Sequence, residues 1–151
     1  MSGLLRIAML TLTVILSSAT CVADDSETLM EIDRQFSAMA QEDISAAFDL
    51  YLAADAQNLG ENYFGNERKD IVGWFHANAG QLQMRWWPIG ALMAESNDLG
   101  YTWGRYIEHH SQDDGSVQEI HGKYLTIWQK DHSGEWKSVI DMGATNPPPE
   151  K

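Results

Sequence analysis

The chain has 151 residues, a length typical of one domain, and 44% of them are hydrophobic, which is enough to form a buried core. Acidic residues outnumber basic residues by 22 to 10, and the formal net charge is −12. A surface of this sign repels nucleic acid and anionic membranes, so we expect neither as a partner.

Residues 1–23 have the pattern of a secretory signal peptide. Arg6 precedes an apolar run over residues 7–16, and small residues then lead to Cys21 and Ala23 before an acidic segment. An uncleaved anchor is the alternative, but the run is shorter than the roughly 20 residues that cross a bilayer. We therefore expect cleavage near Ala23, export to the periplasm or the medium, and no membrane association afterwards. Cleavage would also remove Cys21, the single cysteine of the chain, and leave a mature protein without disulfides.

Helical periodicity predicts three helices in the first half of the chain. Asp43 is placed to cap the second helix and Asn66 to cap the third. Residues 56–59 are predicted as a short strand and residues 60–65 as a loop. The apolar stripe of the first helix consists of Leu29, Ile32, Phe36 and Met39.

From residue 81 onward the hydrophobic period becomes alternating, which predicts an antiparallel meander. Segments rich in Asn, Asp, Ser and Gly separate its strands. Three helices followed by a meander make a single α+β domain over residues 24–145, and the proline-containing residues 146–151 are expected to be a frayed tail. The predicted strands cover residues 81–95, 99–110, 117–130 and 135–143.

Short motifs spread over the chain carry a family resemblance. They are residues 32–36 (IDRQF), 54–56 (ADA), 65–67 (GNE), 98–104 (DLGYTWG), 122–124 (GKY) and 136–137 (WK), with Trp86, Pro88, Trp128 and Asp141. In their order and spacing these residues resemble the nuclear-transport-factor-2-like (NTF2-like) superfamily, and within it the DUF4440 and SnoaL-like bacterial proteins. The resemblance implies a strongly curved antiparallel sheet that is wrapped into a cone, closed by three helices, with a pocket at its wide end. A homodimer through the outer face of the sheet is also expected.

The second long strand carries two glycines among its aromatic residues. Gly100 and Gly104 are expected to let this strand bend around the pocket. Trp86 and Trp87 are adjacent on the preceding strand and should point to opposite faces. We therefore expect one of them in the core and the other in an interface.

The sequence has no GxSxG, HExxH, phosphate-binding glycine loop, EF-hand loop or cysteine pair, so common hydrolase and metal signatures are missing. His109, Glu119 and His121 come closest to a metal cluster, because hairpin pairing would place them on one face. Zinc usually requires three or four converging protein ligands, and the alternative is an exposed strand end. We predict no metal and no cofactor.

Two carboxylates are the candidates for catalysis. Asp33 lies at the margin of the first helix's apolar stripe, and Asp141 follows Val139 by two residues, so those two strand residues should share a face. Paired carboxylates in an apolar pocket can separate in pKa into one acid and one base. The alternative is a structural role, in which either carboxylate pairs with Lys123, Arg105 or a backbone amide.

The catalytic constellation of ketosteroid isomerase is not reproduced. That enzyme uses an Asp base, with a Tyr and a protonated Asp as the oxyanion hole. The resemblance matches residues 57–60 (QNLG) to the region of the base, and Thr126 to the position of the protonated Asp. Steroid isomerase activity is therefore not expected.

Three functions stay open at this point. The first is binding of a small apolar molecule in the cone. The second is acid–base catalysis of the SnoaL or isomerase type on a carbonyl-containing substrate, with Asp33 and Asp141 as the acid–base pair and Tyr124 as a hydrogen-bond donor. The third is an interaction module with a filled cone. The residues predicted to contact a ligand are Asp33, Phe36, Tyr51, Trp86, Tyr124, Thr126, Trp128 and Asp141.

Overall fold

The computed structural model of the protein describes residues 25–60 and 64–146. The predicted signal peptide and residues 147–151 of the predicted tail lie outside these ranges. The described part contains three helices and one sheet, and its fold class is α+β, as predicted. The elements are α1 (Asp25–Glu42), α2 (Ile44–Tyr51), β1 (Leu52–Leu59), β2 (Phe64–Gly65), α3 (Arg68–Asn78), β3 (Leu82–Met93), β4 (Leu99–Ser111), β5 (Val117–Lys130) and β6 (Trp136–Thr145).

The helices form where periodicity predicts them, and one cap differs. On α1, Leu29 and Phe36 are buried in the core. Asp43 caps α2, where its Oδ1 accepts a hydrogen bond from the Ala46 N–H at 3.0 Å. The predicted cap of α3 by Asn66 is wrong, because Glu67 occupies the N-cap position and its side chain makes no capping hydrogen bond.

The sheet has the strand order β2-β1-β6-β5-β4-β3 among the described residues. Strands β3 to β6 form the predicted antiparallel meander. Strand β1 begins at Leu52, earlier than predicted, and runs parallel to β6, so the sheet is mixed. The two-residue strand β2 falls within the segment that was predicted as a loop.

Gly104 on β4 permits a close approach of its neighbours. A Cβ atom at this position would overlap the backbone oxygen of Trp87 and lie 2.6 Å from the Tyr124 ring. Opposite it, β3 carries a bulge between Pro88 and Gly90. Bulges bend a strand and increase its twist. The bulge therefore bends the sheet where the Tyr124 ring lies directly on the β4 backbone.

The two faces of the sheet have different surroundings. The inner face packs against the helices, and Trp86 is buried there. The outer face carries exposed apolar side chains that include Trp103 and Met142. On the same outer face Trp87 is half-buried beneath the Arg85 guanidinium, 5.3 Å from its ring centroid. The homodimer through this face stays a prediction.

None of the helices within residues 25–60 and 64–146 combines the length and the apolar composition that a membrane span needs.

Candidate functional site

A cavity of about 150 Å³ lies between α2, α3 and the inner face of the sheet. Its polar lining consists of Asn58, Glu108, His110, Asp141 and Thr145. A protein cavity of about this volume accommodates a molecule the size of benzene. The apolar lining includes Phe48, Trp74, Phe75, Leu82, Met84 and Ile120.

Asp141 on β6 forms part of the cavity wall. The Thr126 hydroxyl donates a hydrogen bond to its Oδ1 at 2.8 Å, and the Asn58 amide donates to its Oδ2 at 3.2 Å. Over the described ranges, no lysine, arginine or histidine forms an ion pair with this carboxylate. Burial raises the pKa of Asp141 to about 6, against the lowering effect of the Thr126 hydrogen bond, and the charge of Asp33 raises it further.

A bulge in β6 gives Asp141 its orientation. Ile140 pairs with Ile127, but Ser138 pairs with Trp128, so Val139 is the extra residue between them. The predicted alternation of Val139 and Asp141 therefore does not hold. Ser138 is fully buried opposite Trp128 and lies on the inner face together with Asp141, although the two are three residues apart.

Asp33 on α1 is fully buried behind the cavity. The Trp86 indole N–H donates to its Oδ1 and the Tyr124 hydroxyl to its Oδ2, each at 2.7 Å. The side chain of Thr102 adds a third hydrogen bond. Burial raises the pKa of Asp33, and these hydrogen bonds act in the opposite direction. The Trp128 indole N–H donates to the Thr102 hydroxyl at 2.9 Å and holds it in place.

The ion pairs that were one alternative for the two carboxylates do not form within the described part of the chain. Lys123 and Arg105 are exposed neighbours on β5 and β4, and neither forms an ion pair with Asp33 or Asp141. Both carboxyls are instead held by neutral hydrogen-bond donors.

Tyr124 connects the two carboxyl groups. Its ring lines the cavity beside Asp141, and its hydroxyl bonds to Asp33 on the other side. Burial raises the pKa of Tyr124, and the charge of Asp33 raises it further. The phenol therefore stays protonated at neutral pH.

Of the eight residues predicted to contact a ligand, Trp86, Tyr124 and Asp141 line the cavity. Thr126 lies behind this wall, in contact with Asp141. The remaining members lie outside the cavity lining: Asp33 beneath its three donors, the buried core residues Phe36 and Trp128, and the half-buried Tyr51. In that core Phe36 stacks on Tyr51 with ring centroids 4.8 Å apart and meets Trp128 edge-on at 6.2 Å.

Glu108 and His110 are cavity residues that the sequence analysis missed. The His110 Nε2–H donates to Glu108 Oε2 at 2.8 Å, and both side chains line the cavity. They share a strand face with Thr102 and Tyr106, because residues of β4 with even numbers point inward. The alternation of β4 was the signal that could have found them.

His109, Glu119 and His121 meet at the end of the outer face, as their pairing predicts. The Glu119 carboxylate accepts from His109 Nε2 at 2.9 Å and from His121 Nε2 at 2.6 Å. Both hydrogen bonds lower the pKa of Glu119. No group of three or more His, Cys, Asp or Glu residues in the described part of the chain has the arrangement of a metal site.

Comparison with known proteins identifies the fold. The sequence matches no family model and no curated protein. Among solved structures, it is similar to a ketosteroid isomerase-like protein from Erwinia carotovora, with a TM-score of 0.67, 12% identity, and coverage of 80% of this chain and 96% of the other. An NTF2-like superfamily protein from Salmonella enterica gives a TM-score of 0.64 at 12% identity, covering 81% and 91%.

An NTF2-like protein from Novosphingobium aromaticivorans gives a TM-score of 0.63 at 12% identity, covering 79% of this chain and 80% of the other. These similarities confirm the predicted fold: the chain has the fold of the NTF2-like superfamily. The narrower relation to DUF4440 proteins stays a prediction.

Proposed function

We propose that the cavity of this NTF2-like domain binds a small, mostly apolar molecule that carries one hydrogen-bonding group. The observation that carries the proposal is the carboxyl of Asp141, which lies in the wall of an apolar cavity without a cationic partner among the described residues. A carboxylate can accept about four hydrogen bonds, and Asp141 accepts two from the protein. It therefore keeps acceptor capacity for a hydroxyl or N–H group of a ligand.

The pKa of Asp141 determines which ligand group is preferred. Because this pKa is about 6, the carboxyl is mainly ionised at pH above 7 and accepts hydrogen bonds from a ligand donor. Below pH 5 it is mainly protonated and can donate to a ligand carbonyl. A ligand with a donor group should therefore bind more tightly as the pH rises through about 6.

Tyr124 contributes an aromatic wall beside Asp141. Its ring lines the cavity, and its hydroxyl donates to Asp33 on the other side. The ring of a ligand would therefore pack against the Tyr124 ring while its polar group bonds to Asp141.

Binding can be measured with para-cresol, a single ring with one donor, and with its methyl ether, which lacks the donor. Trp74 and Trp86 line the cavity, so quenching of tryptophan fluorescence reports occupancy. At pH 8 we expect Asp141→Asn to weaken para-cresol binding about tenfold, as for loss of a hydrogen bond to a charged group, without affecting the ether. Asp55→Asn, on the exposed part of β1, is the matched control. Equal affinity of wild type and Asp141→Asn for para-cresol would contradict the proposed role of Asp141.

Acid–base catalysis is a second candidate, and one observation favours it. A pKa of about 6 is close to that of an efficient general base at neutral pH, and the Glu108–His110 pair lies on the same cavity. The test is hydrogen–deuterium exchange at the carbon next to the carbonyl of indanone, followed by NMR. Catalysis requires exchange that rises through about pH 6 in the wild type and is lost in Asp141→Asn. Exchange at the buffer rate in the wild type would exclude this reaction for this probe.

Export is the remaining part of the proposal, and its support is the signal-peptide pattern before Ala23. Native mass spectrometry of protein purified from the exported fraction of its host gives the mature N-terminus and the mass of any bound molecule together. We expect cleavage near Ala23 and one discrete mass that is lost on unfolding. Full-length protein in the cytosolic fraction would contradict export.

A further inference from the structure

A second recess of different chemistry adjoins the cavity. This outer recess, of about 270 Å³, shares the side chains of Trp74, Leu82 and His110 with the cavity. It lies between the end of α3, the start of β3 and the turn after β4. Beyond the three shared residues, its walls are polar: Asn78, Gln81, Ser111, Gln112 and Asp113.

The volume of the cavity limits the size of the ligand that it can hold alone. About 150 Å³ holds one six-membered ring, so a larger ligand must extend beyond the cavity. The outer recess is the neighbouring space, because Trp74, Leu82 and His110 line both. Between the two, the His110 ring is held by its hydrogen bond to Glu108.

We propose that the ligand is bipartite, with an apolar ring in the cavity and a chain that ends in a hydrogen-bond donor, neutral or cationic, in the outer recess. The proposal rests on the proposed binding function of the cavity and specifies its ligand class. The alcohol, the amide and the ammonium group are the terminal groups of this class.

The preference for a donor follows from how the amides of the recess are used. The Asn78 amide nitrogen donates to the Trp74 carbonyl at 2.7 Å, and the Gln112 amide nitrogen donates to the His110 carbonyl at 3.2 Å. Each side chain thus uses one of its two amide N–H groups on the backbone, and its amide oxygen remains an acceptor beside the second N–H. A ligand group that donates hydrogen bonds is complementary to these two oxygens.

Charge disfavours an anionic terminal group. Asp113 lines the recess and Glu108 lines the adjoining cavity, while neither lining includes a lysine or an arginine. The net charge of −12 acts in the same direction over a longer range. A carboxylate or phosphate at the end of the chain would therefore be repelled.

The test uses para-pentylphenol and its three analogues with a terminal alcohol, ammonium or carboxylate, compared by tryptophan fluorescence and calorimetry. We expect the alcohol and the ammonium to bind about threefold or more tightly than para-pentylphenol, and the carboxylate to bind about threefold or more weakly. The double variant Gln112→Ala/Asp113→Asn should remove the gain of the ammonium. It should leave para-cresol binding unchanged, because para-cresol does not reach the recess.

The matched control is the double variant Gln129→Ala/Asp55→Asn, which makes the same two chemical changes at exposed positions outside both linings. If para-cresol fails to bind the wild type, the proposed function of the cavity is wrong. If para-cresol binds but the four pentyl compounds have equal affinities, the cavity proposal stands and the bipartite ligand is wrong. Equal loss of the ammonium gain in both double variants would also overturn the role of the outer recess.

Discussion

Asp33 and Asp141 are both aspartates, and burial raises the pKa of each. They differ in whether the carboxyl is fully enclosed by the protein. Asp33 is enclosed by the donors of Trp86, Tyr124 and Thr102 and has no exposed surface. Asp141 has two donors on one side and the cavity on the other. The difference separates a carboxyl that organises packing from one that can meet a ligand.

Tyr124 links the Asp33 site to the cavity wall beside Asp141. It closes the Asp33 site with its hydroxyl and forms the cavity wall beside Asp141 with its ring. The hydrogen bond to the enclosed carboxyl therefore helps to fix the ring that forms the cavity wall. Substitutions at the two carboxyls and at their donors test this division of roles.

The largest effect is expected from removing the enclosed carboxyl. Asp33→Ala would leave the Trp86 N–H and the Tyr124 hydroxyl without an acceptor and create a small void, which costs about 3–5 kcal/mol of unfolding free energy. Asp33→Asn keeps the shape and one acceptor oxygen, so its cost should stay within about 1 kcal/mol. Urea unfolding measures both.

The pH dependence of the unfolding free energy provides a second test with the same two variants. Because the pKa of Asp33 is raised in the folded state, the wild type loses stability as the pH rises and this group ionises. The unfolding free energy of Asp33→Asn, relative to that of the wild type, should therefore increase with pH. Equal, small losses for the Ala and Asn variants at all pH values would show that the hydrogen bonds to Asp33 do not organise the core.

Asp141→Asn should stabilise the protein at alkaline pH. The folded-state pKa of Asp141 is about 6, above its ordinary value of 3.8, so its ionisation disfavours the folded state as the pH rises from 3.8 through about 6. A shift of this size corresponds to about 2–3 kcal/mol at most. We expect Asn at this position to gain about 2 kcal/mol at pH 8 and almost nothing at pH 3.

Unfolding free energies across that pH range, with Asp113→Asn as the exposed control, measure this gain. A constant difference between wild type and Asp141→Asn from pH 3 to pH 8 would mean that the carboxyl titrates as an ordinary surface group.

Tyr124→Phe should have an intermediate effect, because it removes one of the donors of Asp33 without opening a void. The expected loss is about 1–2 kcal/mol in urea unfolding at pH 7, where a buried acceptor loses a partner. Tyr101→Phe, half-buried on the other face of β4, is the control for loss of a phenol hydroxyl.

The sequence predicts the fold better than the site, for a physical reason. The period of 3.6 on α1 is a local pattern, and it places Leu29 and Phe36 inside before any tertiary contact is known. Asp33 was recognised as a candidate from its position beside that stripe. Its full burial depends on the Trp86 indole, which comes from β3 and is distant in sequence.

The cavity itself could not be derived from local patterns. Trp128 and Trp86 both face inward on their strands, yet Trp128 is fully buried in the core and Trp86 lines the cavity. The bulge at Val139 shifts the register that decides the orientation of Asp141, and nothing in the alternation marks it. The alternation of β4 does place Glu108 and His110 on the inner face, whereas the neighbouring His109 lies on the outer face.

The smallest effect on stability is expected from Thr126→Val. This substitution removes the hydroxyl that donates to Asp141 at 2.8 Å. This hydrogen bond lowers the pKa of Asp141, so its removal should raise that pKa above its present value of about 6. The accompanying loss of stability at pH 8 should be about 1 kcal/mol, and it should shrink at pH 4, where the carboxyl is neutral.

NMR titration of the Asp141 side-chain carboxyl carbon measures this shift directly, and Thr126→Ser, which keeps the hydroxyl, is the matched control. Because Thr126 has no contact with the cavity of its own, a raised pKa in the Val variant should move the pH dependence of para-cresol binding upward by the same amount. A shift in the titration without a shift in binding would separate Asp141 from the ligand, and the cavity carboxyl would then resemble Asp33 in its role.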